Sequence, residues 1–388
     1  MKTTMWEFWA VVLAIGAAVP SRCEGKCSSS FPAIFNFGDS NTDTGGFWAA
    51  FPSQGPPNGI TFFGKPVGRA TDGRVILDFL AEGLGLPFLS PYLKSIGSDY
   101  RHGVNFATLG STVLLPHSSL FDTGISPFSL AIQLNQFKHF KAAVDGGGGG
   151  ASTFLPPENV FGKALYTFYI GQNDFTGRLG SLGISGVQPF LPEVVSQITD
   201  SIKEIHGMGG RTFMVLNLAP IGCYPAFLVE LPHNASDIDR FGCLISYNNA
   251  VVNYNNMLRD ALRETRKGLN KDTKVIYVDT HSILLELFRH PTSHGLKYGT
   301  KACCGHGGGE YNFNKDVFCG NTKVVNGEKV SAGACDDPQN YVSWDGIHTT
   351  DAANKLIASA IFANNNNASS YFDPPFAFHH HCDIHPIS

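Results

Sequence analysis

Two runs in this chain are apolar on both faces and then stop at polar turns: Ala33-Ile-Phe-Asn-Phe-Gly-Asp-Ser40 and Ala164-Leu-Tyr-Thr-Phe-Tyr-Ile170, the second followed by Gly171-Gln-Asn-Asp174. A strand with one wetted face alternates apolar and polar residues, so runs of this kind demand cover on both sides. The cover is legible in the spacing of other apolar residues. Val75, Ile76, Phe79 and Leu80 share one side of a helix, as do Val194, Ile198, Ile202 and Ile205, and Leu244, Tyr247, Val251, Tyr254 and Leu258. Further strands are expected over residues 103–107, 211–218 and 274–279, and a closing helix over 351–363. Strands alternating with amphipathic helices predict an α/β chain whose mostly parallel sheet is covered on both faces.

Ligands of such sheets bind beyond the carboxyl ends of the strands. That rule gathers Ser40, Gly110 and Asn173 around one crevice. His348 joins them if its loop returns to the same edge. A serine hydroxyl becomes a nucleophile only when an imidazole takes its proton and a carboxylate holds the imidazole's other nitrogen. Trp344-Asp345-Gly-Ile-His348 places Asp345 and His348 three positions apart, close enough for one turn to join them. Ser40, His348 and Asp345 thus supply the types needed for acyl transfer. Asn173 can offer a side-chain amide, and Gly110 an unobstructed backbone N–H, to a developing oxyanion. Read singly, Gly-Asp-Ser is a common turn, Asn173 a cap and Gly110 a residue at positive φ; their significance lies in occurring together.

Composition narrows the remaining classes. The chain has 388 residues and 43% hydrophobic content, enough for one large domain, and most of its 30 phenylalanines belong in a core. A net charge of -4 without a long basic run gives no footprint for nucleic acid. The N-terminus has the layout of a secretory signal peptide over residues 1–25. Met1-Lys2 leads into an apolar run from Trp6 to Val19, too short to span a bilayer, and then Pro20-Ser21-Arg22-Cys23. The expected mature chain begins near Glu24 to Lys26, is secreted to the apoplast or cell wall, and has no stable membrane span.

Of nine cysteines, Cys27, Cys223, Cys243, Cys303, Cys304, Cys319, Cys335 and Cys382 would remain after cleavage, an even set that favours disulfides. The adjacent Cys303 and Cys304 are expected to bond to different partners, with Cys319 and Cys335 as candidates. Sequons at Asn234 and Asn367 predict surface glycosylation. Five glycines at 146–150 read as a loop tip. A single domain is expected over residues 26–365, with 366–388, including His379-His-His-Cys-Asp-Ile-His385, as a C-terminal tail without a defined role and no metal site.

Taken in order, Phe31-Pro-Ala-Ile-Phe-Asn-Phe-Gly-Asp-Ser40, Gly103-Val-Asn-Phe-Ala-Thr-Leu-Gly110, Gly171-Gln-Asn-Asp174 and Asp345-Gly-Ile-His348 resemble the GDSL esterases and lipases of the SGNH hydrolases, above all the plant branch. The resemblance implies a three-layer α/β/α sandwich of flavodoxin-like type with no metal or cofactor. It implies Ser40 as nucleophile, His348 as general base and then acid, and Asp345 as its orienting group. Ser40 N–H, Gly110 N–H and the Asn173 amide would form the oxyanion hole. Asn41 stands where the family name has leucine, a position without a catalytic role. Gly-x-Ser-x-Gly is absent, against an ordinary α/β-hydrolase elbow.

The expected substrate is a small-molecule or glycan ester, with small acyl groups such as acetyl on cell-wall glycans or glycosides favoured by the extracellular destination. Alternatives are a lipase on longer chains, an acyltransferase to an alcohol, and a secreted glycan- or lipid-binding protein without chemistry.

Overall fold

The computed structural model describes residues 31–116, 125–148, 154–363, 371–378 and 381–384. The expected signal peptide, Cys27, Asn367, His379, His380 and His385 lie outside the described residues. The first half of the chain runs β1 (Ile34–Gly38), α1 (Gly46–Ala50), α2 (Ile76–Gly83), β2 (Gly103–Asn105), α3 (Leu130–Ala143), β3 (Leu165–Tyr169), α4 (Gln172–Thr176) and α5 (Leu179–Val187). It continues with α6 (Leu191–Gly207), β4 (Thr212–Leu216), α7 (Pro225–Glu230), α8 (Ile245–Gly268), β5 (Lys274–Val278) and α9 (Thr280–Arg289). The last part holds β6 (Tyr298–Ala302), β7 (Thr322–Val325), β8 (Glu328–Ser331), β9 (Tyr341–Ser343), α10 (Asp351–Phe362) and β10 (Phe372–Asp373).

The main sheet has the order β10-β5-β4-β3-β1-β2, parallel except for β10. Within β1, β3, β4 and β5 successive side chains enter opposite layers. Phe35, Phe37, Tyr166, Phe168, Phe213 and Val215 join a core with α3, α6 and α8, whereas Ile34, Leu165, Met214, Leu216 and Ile276 join a second core with α2, α9 and α10. This is a three-layer α/β/α sandwich. The chain starts in the middle of the sheet, steps to β2 and then crosses to β3, so the direction of winding reverses between β1 and β3. Open α/β sheets bind ligands beyond the strand ends at such a reversal.

The structure corrects the expected end of the domain. The closing helix is followed by β10, which pairs antiparallel with β5 through Phe372 opposite Val278 and Asp373 opposite Tyr277. Phe378 is buried against Phe31 and Phe362, and Cys382 is disulfide-bonded. The physical reason is that β5 would otherwise present an open row of backbone donors and acceptors. Residues 371–378 and Cys382 therefore belong to the fold.

Disulfides join Cys303 to Cys335 and Cys304 to Cys319, separating the neighbours as expected, and Cys223 to Cys243. The first two brace an insertion with little apolar interior of its own, where Cys303, Cys304, Tyr341 and Trp344 form a small cluster.

A buried ion pair fastens the end of the chain to its beginning. Arg74 donates from Nε to Asp351 Oδ1 and from Nη2 to Asp351 Oδ2, both at 3.0 Å, and from Nη1 to Glu82 at 3.0 Å. Removing one partner strands the other's charge in the interior. Arg74→Leu is expected to lower the unfolding free energy by roughly 3–5 kcal/mol, read from urea denaturation; a loss below about 1 kcal/mol, the range of surface pairs, would show that the pair does not hold these segments together.

Candidate active site

β1 and β3 are paired in register, with Gly38 opposite Tyr169, so the turns that follow them leave the same edge of the sheet. Ser40 sits in the first turn and is buried, and Asn173 sits in the second, within α4. β2 pairs Asn105 with Asn36 of β1, which brings the loop carrying Gly110 to that edge as well. Sequence spacing alone suggested this convergence; two aspartates and a glutamine enforce it.

Gln133 on α3 accepts from Gly38 N–H at 2.9 Å and donates to Gly38 carbonyl at 2.8 Å, completing the ladder of β1 where β2 has ended. Asp43 accepts from Gly45, Gly46 and Phe47 N–H and, at 2.8 Å, from Leu109 N–H, so it ties the segment after Ser40 to the Gly110 loop. Asp174 accepts from Val113 and Leu114 N–H at 2.7 and 3.0 Å and ties the Asn173 turn to the same loop from the other side. Burial pushes the Asp43 carboxyl up to about 6 and the Asp174 carboxyl up to about 7, against the backbone bonds that pull each down.

Gly110 has φ +76°, a conformation that side chains with a Cβ resist. Asn173 donates from Nδ2 to Ser111 carbonyl at 2.8 Å. An amide nitrogen carries two hydrogens, so this bond orients the side chain and keeps one hydrogen for another acceptor.

His348 and Asp345 meet as expected. Asp345 Oδ2 lies 2.7 Å from His348 Nδ1, while Oδ1 accepts from the Ile347 and His348 N–H groups at 2.9 and 2.8 Å. The turn is possible because Gly346 takes φ +98°; a Cβ there would also lie 2.5 Å from the Phe313 ring. Its carbonyl accepts from Ala226 N–H at 3.0 Å, and Trp344 N–H donates to His348 carbonyl at 2.7 Å. Cys303 and Cys304 bond to the Ser343 and Trp344 carbonyls, so the disulfide insertion props up this loop from behind.

Burial alone would lower the His348 pKa, but the Asp345 charge and hydrogen bond, with the Asp39 charge, raise it above the ordinary value. Burial would raise Asp345, but His348 and the two N–H groups hold it below the carboxylate range. An ionised Asp345 makes Nδ1 the protonated nitrogen and leaves Nε2 as the base. Asp39 precedes Ser40 in the chain, and its charge and that of His348 each shift the other. The imidazole is therefore near enough to the Asp39–Ser40 turn for its charge to be felt there.

Of the two expected glycosylation positions, Asn234 is exposed. Sequence reading missed Gln133, Asp43 and Asp174 as positioning groups; only their places on a helix and next to the Gly-Asp-Ser and Gly-Gln-Asn turns could have flagged them.

The family described as GDSL-like Lipase/Acylhydrolase matches residues 34–361. An Arabidopsis thaliana protein named GDSL esterase/lipase At4g01130 is 59% identical over 97% of this chain and 97% of its own length. Another from the same plant, named Alpha-L-fucosidase 3, is 48% identical over 88% of this chain and 92% of its own. A Hevea brasiliensis protein named Esterase is 41% identical, covering 91% of this chain and 89% of its own. With a family match across nearly all of the α/β/α sandwich and relatives at this level of identity, the chain belongs to the GDSL-like lipase/acylhydrolase family and is a carboxylic ester hydrolase.

Proposed function

We propose that this protein is a secreted serine esterase that works through an acyl-enzyme on Ser40. The observation that carries the reading is the 2.7 Å contact between Asp345 and His348 Nδ1, an imidazole whose charge is felt at Asp39 next to Ser40. His348 Nε2 takes the proton as Ser40 Oγ bonds to the ester carbonyl carbon. The oxyanion receives the Ser40 and Gly110 N–H groups and the spare Asn173 amide hydrogen. Collapse breaks the bond to the alcohol oxygen, which leaves with the proton from His348. Water then attacks the acyl-enzyme by the same route, releasing the acid and restoring Ser40.

Among the described residues no helix is long and apolar enough to cross a membrane, and the disulfides suit an oxidising compartment. Secretion to the cell wall brings glycan and glycoside esters within reach. The name of the fucosidase relative suggests another chemistry, cleavage of a glycosidic bond by two facing carboxylates. Asp345 is already held by His348 and two N–H groups, an arrangement that serves esterolysis directly.

Ser40→Ala is expected to lower kcat on an aryl ester by at least about 10⁴-fold with an unchanged circular dichroism spectrum. A variant that keeps most of its rate ends the reading, and an aryl fucoside cleaved equally by both proteins would favour the glycosidase. Because His348 must be neutral to act as base and its pKa is raised, kcat/KM should climb with pH through a midpoint above 6.5, the ordinary imidazole value. Asp345→Asn removes the cause of the rise, so the midpoint should move to lower pH while kcat falls by about 10⁴-fold; a midpoint that stays in place would remove Asp345 from its role. We assign an N-glycan to the exposed Asn234, and to Asn367. Protein from the natural source should gain mobility on a gel after glycosidase treatment, and unchanged mobility would rule the glycans out.

A further inference from the structure

Beside Asn173 lies a hollow of ≈ 230 Å³ that the proposed chemistry has not used. Its apolar wall is Leu114, Leu115, Ile125, Phe190 and Val194. Two of these are unusually open for large apolar side chains, Leu115 at 59% and Phe190 at 38% exposure. Arg178 also lines the hollow, but its guanidinium lies over the Phe190 ring, 4.6 Å from the centroid. Asp174, the carboxylate in the lining, has each oxygen taken by a backbone N–H. The wall of the hollow is therefore more apolar than polar, with Thr112, Asn173 and Ser181 as its uncharged polar members.

We propose that this hollow is the acyl-binding subsite and that the enzyme takes esters of apolar acids of about six to eight carbons, or of a single ring, in place of acetyl esters. This rests on the acyl-enzyme reading above. The size follows from comparison with an apolar cavity of about 150 Å³, which accommodates benzene, and from about 30 Å³ per water-sized group. An acetyl methyl would leave most of the wall without contact, and the apolar area it failed to cover would contribute nothing to transition-state binding.

The assignment to the acyl side follows from the direction of proton transfer. The departing alcohol oxygen must be within reach of His348 Nε2, so the alcohol lies on the side of the Asp345–His348 turn. Of the proposed site residues Asn173 lines the hollow, while Ser40, Gly110, Asp345 and His348 do not, so it lies on the Asn173 side of the crevice. With the carbonyl oxygen at the Asn173 amide and the alcohol toward His348, the remaining substituent of the carbonyl carbon is the acyl chain.

The test compares kcat/KM for aryl acetate and aryl octanoate in the wild type, Ser181→Trp and Phe190→Ala. Ser181 is an exposed residue in the lining, so an indole there narrows the hollow, whereas removing the Phe190 ring widens it. The wild type should prefer octanoate by about tenfold or more. Ser181→Trp should cut that ratio by about tenfold, and Phe190→Ala should shift the optimum to longer chains. An acetate-preferring wild type, or a ratio that stays within about twofold in both variants, overturns the acyl-subsite assignment and leaves the serine esterase standing. A folded wild type inactive on every ester would overturn both.

Discussion

A single buried guanidinium makes one site out of the two ends of this chain. Arg74 grips Asp351 at the first turn of α10, two residues after the active-site loop has ended, and the neighbours of Arg74 repeat the grip: Asp72 accepts from Asp351 N–H at 2.7 Å, and Thr71 donates to Thr349 carbonyl at 2.8 Å. Asn354 closes the set by donating to Arg74 carbonyl at 3.0 Å. Apolar contacts between α2 and α10 would hold those helices together but allow sliding. A forked guanidinium accepts a carboxylate in one planar arrangement, which fixes the register of His348 relative to the sheet. Phe62 and Phe79 sandwich the guanidinium at 4.0 and 4.2 Å and keep water from it. Burying such a pair adds little net stability; its value lies in positional definition.

The same exchange of stability for position runs along the sheet edge. Asn36, inside β1, donates to Asn105 Oδ1 at 2.7 Å and accepts from Thr167 Oγ1 at 2.7 Å, and Asn105 donates to Thr42 carbonyl at 2.7 Å. These polar side chains lie among phenylalanines and are each satisfied, as buried amides must be. They cross-link β2, β1 and β3 just below the turns that carry Gly110, Ser40 and Asn173. Aromatic packing fills the layer beneath, with Phe37 stacked between Phe106 and Phe168 at 5.2 and 5.0 Å. The edge that carries the candidate site is thus a polar lattice resting on a hydrocarbon floor.

Much of this was legible in the residue order because central strands and amphipathic helices leave periodic traces. The doubly apolar runs at Ile34–Gly38 and Leu165–Tyr169 and the helices near Val194 and Tyr247 fall where periodicity put them. So does the Asp345–His348 pair, a contact that one turn dictates locally. β10 was not legible, since two residues pairing with a sheet edge carry no period, and their role depends on β5 having a free side. The insertion with β6 to β9 was equally silent: β7 and β8 are mostly exposed and β6 is half-buried, and two disulfides brace it, whose connectivity sequence does not encode. Gln133, Asp43 and Asp174 were missed for another reason. Each acts by bonding backbone groups that are remote in sequence, and a lone polar residue looks the same whether it caps a distant loop or faces water.

Asp39 shows how far the site departs from what stability alone would choose. Burial pushes its carboxyl up to about 6, against the Asn41 hydrogen bonds and the His348 charge that pull it down, and its Oδ2 is buried without a hydrogen-bond partner in the structure. A buried acceptor left in that state costs free energy that an apolar side chain would not. In the proposed mechanism the imidazole offsets it: on taking the serine proton His348 would become a cation that attracts both Asp345 and Asp39, an attraction absent from the resting state. An interaction that strengthens only as charge develops lowers the barrier without tightening the resting complex. On that reading Asp39, next to the proposed nucleophile, contributes to the electrostatics of the reaction as well as to the shape of the turn.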